Sequence, residues 1–211
     1  MAKHLREFSQ QEALTTRLAN ILEEYPLSVG STVAEWAQNA DDAGASVFGL
    51  VVDGRTARSD LPLTPCGGEA LPDMIEMARR PALYVYNSAQ FSDADLENII
   101  SLGNSMKRES GASIGKYGLG ANVMYSFTDT PMFISRSSLV VFDPHGHRLP
   151  GGMLGTITDY MACGLAESDP VLASAFDLEL AGVFSASLSA HFDGTLFRLP
   201  LRTPEDAAAS A

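Results

Sequence analysis

The chain has 211 residues, a formal net charge of −12, 45% apolar residues and two cysteines. That length suits one sizeable domain with its own core, and so acidic a surface repels a polynucleotide backbone, which argues against a nucleic-acid partner. No apolar run is long enough to span a bilayer, Met1-Ala2-Lys3-His4 lacks the apolar core of a signal peptide, and Cys66 and Cys163 suit neither a disulfide framework nor a metal site, so reduced thiols in a cytoplasmic compartment are expected.

Leu14, Leu18, Ile21, Leu22 and Tyr25 recur with helical period, and Pro26 ends that helix. Ser31 is the expected N-cap of a second helix through Glu35 and Asn39. Val47 to Val52 reads as a buried strand closed by Asp53-Gly54, and residues 54–80, with Pro62, Pro65 and Gly67-Gly68, as an irregular insert. Leu83 to Tyr86 is a second strand. Ser92-Asp93-Ala94-Asp95 has capping-box form, with Phe91 and Leu96 as the flanking hydrophobic staple and Gly103 at the helix end.

Residues 104–113 are polar and glycine-containing, like a lid, and Val123 to Phe127 could begin a helix. Met132 to Ser135 and Leu139 to Phe142 read as strands joined by a polar turn, and Pro150 to Gly155 as a loop. His145 and His147 flank Gly146 and are expected to be turn residues. Leu172 to Leu188 follows no single period. Gly194 to Leu199 is β-rich, and residues 207–211 are expected to form a disordered tail to a single domain spanning 1–206. Helices interspersed with non-alternating strands predict an α+β sandwich, with helices on one face of a mixed sheet.

Two segments carry chemistry. In Glu35-Trp36-Ala37-Gln38-Asn39-Ala40-Asp41-Asp42, the residues Glu35, Gln38, Asn39 and Asp42 share one helix face, while Val33, Trp36, Ala37 and Ala40 form an apolar register. Alone, such a pattern is most often a solvated face. A carboxylate there can also deprotonate a water, and an amide oxygen can hold a hard cation. The second segment is Gly115-Lys116-Tyr117-Gly118-Leu119-Gly120, a glycine-rich loop whose backbone N–H groups can close on a phosphate.

The order Glu-x-x-x-Asn, then Gly-x-x-Gly-x-Gly, then Gly194-Thr195 resembles the GHKL ATPases, which include gyrase B, the heat-shock-90 chaperones, histidine kinases and MutL. A narrower resemblance, to sacsin repeats and plant No Vein-type proteins, rests on Gln38-Asn39-Ala40-Asp41-Asp42-Ala43-Gly44-Ala45, Leu102-Gly103-Asn104-Ser105-Met106-Lys107-Arg108, Phe142-Asp143-Pro144-His145-Gly146 and Gly194-Thr195-Leu196-Phe197-Arg198. It runs from about Phe8 to Arg202 and implies the Bergerat fold of the heat-shock-90 N-terminal domain.

The resemblance implies ATP and Mg²⁺ as cofactors, with Glu35 as general base and Asn39 as the Mg²⁺ ligand. It places Asp42 on the phosphate or ribose side and Gly115, Lys116, Tyr117, Gly118, Leu119 and Gly120 around the phosphates. Lys107, in the lid, is a candidate phosphate ligand. Thr195 matches the threonine that helps hold the adenine-reading carboxylate and its water. That carboxylate is absent: Asn87 stands where the family has aspartate, and Ala89 and Phe91 replace two glycines. A neutral acceptor is worth ~0.5–1.5 kcal/mol against ~1.5–3 for a charged one, so weaker adenine binding is expected.

Two functions follow. One is an ATP-binding, weakly hydrolysing, Mg²⁺-dependent chaperone-like domain whose partners are nucleotide, chaperones or client proteins. The other is a degenerate module that serves as an interaction scaffold without turnover. Glu35 and Asn39 favour the first and Asn87 the second.

Overall fold

The computed structural model describes residues 28–55, 72–97 and 123–209. Its first helix, α1 (Val29–Asp42), begins at Ser28, whose Oγ accepts the Ser31 N–H at 3.1 Å. Ser31 Oγ donates back to the Ser28 carbonyl at 2.9 Å. The cap is therefore Ser28 and not Ser31, because Ser28 is the extended residue and Ser31 already belongs to the first turn. The buried residues Thr32, Trp36 and Ala40 lie one turn apart and form the stripe that faces the sheet. At the other end Gly44 takes φ +76°, its N–H meets the Asp41 carbonyl at 2.8 Å, and the Ala45 N–H meets the Ala40 carbonyl at 2.9 Å. This is a Schellman ending, in which glycine carries the left-handed residue without a Cβ penalty.

The sheet runs β1 (Phe48–Asp53), β2 (Ala82–Asn87), β8 (Phe192–Pro200), β3 (Met132–Arg136), β4 (Ser138–Phe142) and β5 (Gly155–Asp159) in spatial order. All of its pairings are antiparallel, so the expected mixed sheet is corrected to an antiparallel one among the described residues. The reason is the position of β8. Strands β2 and β3 run the same way, but β8 lies between them and pairs antiparallel with each. A small hairpin of β6 (Leu178–Leu180) and β7 (Phe184–Ala186) stands apart.

Alternation along the strands separates two cores. Tyr84, Tyr86, Met132, Ile134, Leu139, Val141 and Leu196 form one, with residues of α2 (Pro72–Arg79), α3 (Leu165–Ser168) and α4 (Pro170–Ala175). Val85 and Leu199 form the other, with Trp36 from α1, Val123, Met124 and Tyr125 from a short 3₁₀ helix, and the half-buried Leu83 and Phe197. Helical segments therefore cover both faces, where one face was expected. Helix α2 also corrects the irregular reading of residues 54–80: Ile75, Met77 and Ala78 are its buried residues.

Arg198 ties the first core together. It is 2% exposed, and its guanidinium donates to the carbonyls of Met77 (2.9 Å), Ala78 (2.8 Å) and Arg80 (2.7 Å) and to the Tyr84 hydroxyl (3.1 Å). These carbonyls lie at the C-terminal end of α2 and just past it, where a cation is favoured by the helix dipole. The Tyr84 hydroxyl in turn donates to the carbonyl of Ala175 at the end of α4.

The segment Phe142-Asp143-Pro144-His145-Gly146 is structural. Asp143, 1% exposed, accepts the N–H groups of Arg148 (2.6 Å) and Leu149 (2.9 Å). Gly146 has φ +63°, and a Cβ there would stand 3.0 Å from the Gly152 carbonyl oxygen. His145 and His147 are exposed turn residues, as expected. The chain closes with α5 (Pro204–Ala209), which takes in residues 207–209 of the expected tail. Among the described residues no helix is long and apolar enough to cross a membrane.

Candidate functional site

A cavity of about 120 Å³ lies between α1 and the sheet. Helix α1 presents Trp36, Asn39 and Asp42 to it from one side, and its C-cap residue Ala43 lies beside them. Strand β2 contributes Val85 and Asn87, and β8 contributes Thr195, Phe197 and Leu199. Register explains the match, because Asn87 pairs with Thr195 and Val85 with Phe197, so these side chains stand together on one face. Ala89, Gln90, Phe91, Asp95 and Met124 complete the wall. Pockets for drug-sized ligands run to roughly 300–1,000 Å³, so this space is small by comparison.

The walls are mainly apolar and aromatic. Trp36 packs against Phe127 with centroids 5.5 Å apart, and Phe91 against Phe133 at 4.8 Å. Behind Met124, burial raises the pKa of the Tyr125 phenol well above its ordinary value, which keeps it neutral.

Polar groups gather at one end, where residues 87–91 leave β2. Each of them is fastened. Asn87 Oδ1 accepts the Ala89 N–H at 3.0 Å, a short local turn. Ser88 Oγ accepts the N–H groups of Ser46 (2.9 Å) and Val47 (3.1 Å). Thr195 Oγ1 donates to the Ala89 carbonyl at 2.8 Å, and Gln90 Nε2 donates to Asp193 at 2.7 Å. Ser135 Oγ accepts the Phe91 N–H at 3.0 Å, donates to the Gly194 carbonyl at 2.9 Å and lies 3.2 Å from Thr195 Oγ1. Thr195 and Ser135 are 1% and 0% exposed, so this hydroxyl pair works in a water-free place.

Gly194 permits the arrangement. Its φ is +137°, and a Cβ would stand 2.8 Å from the Asn87 carbonyl oxygen and 2.9 Å from Tyr86 Cε2. Only a residue without a side chain lets β8 lie this close to the Asn87 turn.

The capping box expected at Ser92 forms as written. Ser92 N–H donates to Asp95 Oδ2 at 2.9 Å and Asp95 N–H to Ser92 Oγ at 3.2 Å. It starts a helical turn at residues 93–97 and holds Asp95 at the cavity wall. Asp42, the other lining carboxylate, accepts from Gln38 Nε2 at 3.1 Å.

Of the expected site residues, the fold brings Asn39, Asp42, Asn87 and Thr195 to one cavity. Glu35 is half-buried on α1, one turn before Asn39, and is not part of the cavity wall. Lys107, Gly115, Lys116, Tyr117, Gly118, Leu119 and Gly120 lie outside the described residues, as do the expected helix at Leu14–Tyr25 and the lid at 104–113. Ser135 was missed by sequence reasoning, and a single serine in an apolar strand gives little signal for it.

The chain that forms this arrangement, with Gly194-Thr195 set against the Asn87 turn and the Asn39–Asp42 face beside the same cavity, is similar in sequence to known proteins. The family model described as the sacsin domain matches residues 11–211. The chain belongs to the sacsin-domain family. It is similar to human sacsin, at 34% identity over 217 aligned residues, which cover 95% of this chain and 4% of sacsin. This sacsin domain thus spans about 4% of the length of the relative it matches.

Proposed function

We propose that this sacsin domain is a GHKL-type, ATP-binding module with slow Mg²⁺-dependent hydrolysis and a chaperone-like role of sacsin type. The observation that carries this reading is the cavity itself. It is small, aromatic-walled, and bears the amide of Asn87 at the end where strand, turn and Thr195 are locked together. A purine ring gains from the apolar walls and finds a polar edge partner at one end.

The same cavity suits a metal-bound nucleotide better than a bare anion. Asp42 and Asp95 are two carboxylates on its wall, and among the described residues no lysine or arginine lines it. A free polyphosphate is repelled there, whereas Mg²⁺ offsets both charges. Asn39, whose side chain makes no hydrogen bond among the described residues, offers the hard amide oxygen that Mg²⁺ accepts, with Asp42 one turn away. When bound, Mg²⁺ neutralises developing phosphate charge. In this reading Glu35 deprotonates or orients the attacking water.

The second reading, an interaction scaffold without turnover, is favoured by the position of Glu35 outside the cavity wall. Calorimetric titration with ATP and ADP, with and without Mg²⁺, tests the first reading. Saturable, Mg²⁺-dependent binding supports it, and its absence leaves the scaffold.

A further inference from the structure

Strand β1 is the outermost strand on its side of the sheet, and among the described residues nothing pairs with its outer edge. On the inner side the Ser88 N–H meets the Val47 carbonyl at 3.0 Å, which makes these two a hydrogen-bonded pair. Such pairs alternate along an antiparallel ladder. Gly49, Val51 and Asp53 therefore turn their peptide groups to β2, and Phe48, Leu50 and Val52 turn theirs outward. Phe48 packs with Trp36, so Leu50 and Val52 lie on that same α1 face, where both are exposed, Val52 to 75%. Open edges are commonly blunted by lysine, proline or a bulge, and β1 has none of the three. On the opposite face the approach of β6 leaves an open groove of about 410 Å³, with Val52, Asp53 and Arg55 on one side and Asp177, Leu178 and Glu179 on the other. Arg55 is taken by Asp53 at 2.8 Å. Asp177 and Glu179 are exposed, and among the described residues their carboxylates have no hydrogen-bond or ion-pair partner.

We propose that the outer edge of β1 and the groove beside it form a docking site for an extended peptide of alternating apolar and basic residues, which joins the sheet as a further strand. The outward N–H and C=O groups of Phe48, Leu50 and Val52 pair with the peptide backbone, a source of affinity that does not depend on sequence. Side chains of an added strand alternate between the two faces. Those on the α1 face cover Leu50 and Val52 and remove their apolar surface from water. Those on the other face enter the groove, where a lysine or arginine meets Asp177 and Glu179. An acidic peptide is repelled by the same two carboxylates. A second copy of this chain, with a net charge of −12 and Asp53 at the end of its own β1, is a poorer match than a basic segment. None of the groove residues lines the α1 cavity, so the site is independent of nucleotide.

The test uses the full chain and a synthetic probe: a fluorescently labelled peptide of alternating valine and lysine with blocked ends, titrated by anisotropy. An alternating valine–glutamate peptide controls for charge. A valine–lysine peptide N-methylated along its backbone controls for strand pairing. Asp177→Asn combined with Glu179→Gln removes the unpaired charge of the groove. Val52→Pro removes one outward N–H without touching the ladder to β2. An unchanged melting temperature verifies each variant, and Val52→Asn, which removes the apolar contact alone, replaces Val52→Pro if that variant is unstable. The valine–lysine peptide is expected to bind the wild type saturably and more weakly as salt rises, and to lose about tenfold or more in affinity for each variant. Bound peptide is expected to slow amide exchange at Leu50 and Val52 but not at Gly49 and Val51, which already face β2. Absence of saturable binding, equal binding of the glutamate or N-methylated peptide, or unchanged affinity in the double variant overturns the inference. Self-association of the wild type that Val52→Pro abolishes also overturns it and assigns the edge to a second copy.

Discussion

The Thr195 hydroxyl donates a 2.8 Å hydrogen bond to the Ala89 carbonyl, fastening the turn that carries Asn87 to the central strand. Thr195 was expected to hold a base-reading carboxylate and its water. Here its hydroxyl meets the Ala89 carbonyl and Ser135 Oγ, so its effect on a ligand passes through backbone position. Replacing Thr195 with valine keeps the shape and leaves the half-buried Ala89 carbonyl without this partner, which costs about 1 kcal/mol. The expected result is a lower melting temperature together with faster amide exchange at Ala89 and Phe91. Ser135→Ala is expected to speed exchange at Phe91 in the same way. A stable Thr195→Val protein with unchanged exchange at these amides would show that the strand pairing alone holds the turn.

Arg198 yields a stability prediction of larger size. Its guanidinium serves three carbonyls and one phenol in a buried place, and no single point charge reaches them all. Arg198→Met preserves much of the volume but strands the end of α2, so a loss of roughly 3 kcal/mol or more is expected. Arg198→Lys is expected to recover only part of it. Denaturant unfolding measures both, and a loss below about 1 kcal/mol for the methionine variant would mean that water replaces the guanidinium.

Why some of this was legible and some not has physical causes. The capping box at Ser92 and Asp95 was readable because a cap is written in two residues at fixed spacing. Ser28 was overlooked in favour of Ser31 because both are serines near a helix start, and only the extended backbone of Ser28 separates them. Strand β5 went unread beyond Gly155, the last residue of the expected loop: Gly155-Thr156-Ile157-Thr158-Asp159 lies at the sheet edge with no buried residue, so it lacks an apolar alternation. Helix α2 is short and sits next to proline and glycine, which masked Ile75, Met77 and Ala78. Arg198 stood within a quoted motif, but burial of a charge against carbonyls depends on a helix about 120 residues earlier, which no local pattern reports. The cavity was legible as separate residues on α1, β2 and β8; the Ser135–Thr195 contact that rigidifies it was not.

Acid sensitivity is expected from the last helix. Thr203 and Asp206 form a second capping box, with Thr203 N–H donating to Asp206 Oδ2 at 2.9 Å, and Arg80 also pairs with Asp206. The backbone N–H of Thr203 first, and Arg80 after it, hold the Asp206 carboxyl below its ordinary value of 3.8. A depressed folded pKa means that this stabilisation is present above about 3.8 and is lost as pH falls through the lower folded value. Thermal unfolding across pH 2 to 6, roughly the span over which carboxylates titrate, is expected to show a shallower acid decline for Asp206→Asn than for the wild type. Parallel declines would assign the acid loss to other carboxylates.

Glu35 and Asn39 separate an ATPase from a binding module. They stand one turn apart on α1, yet only Asn39 reaches the cavity wall. Glu35→Gln is therefore expected to leave ATP binding nearly intact, because a general base contacts water and not the nucleotide. It is expected to lower turnover by roughly 10²–10⁴, the range typical of a lost general base. Asn39→Ala is expected to weaken binding itself, and only in the presence of Mg²⁺, because the metal that links protein to phosphates loses an oxygen ligand. The two neighbours should thus fail differently: one in rate at unchanged affinity, the other in Mg²⁺-dependent affinity. Measuring phosphate release and ATP affinity on the same samples reads both quantities. Wild-type phosphate release equal to that of Glu35→Gln would remove the enzyme and leave the fold as a nucleotide-dependent scaffold. If Asn39→Ala also binds ATP as tightly as the wild type with Mg²⁺ present, the metal is not held on this face of α1.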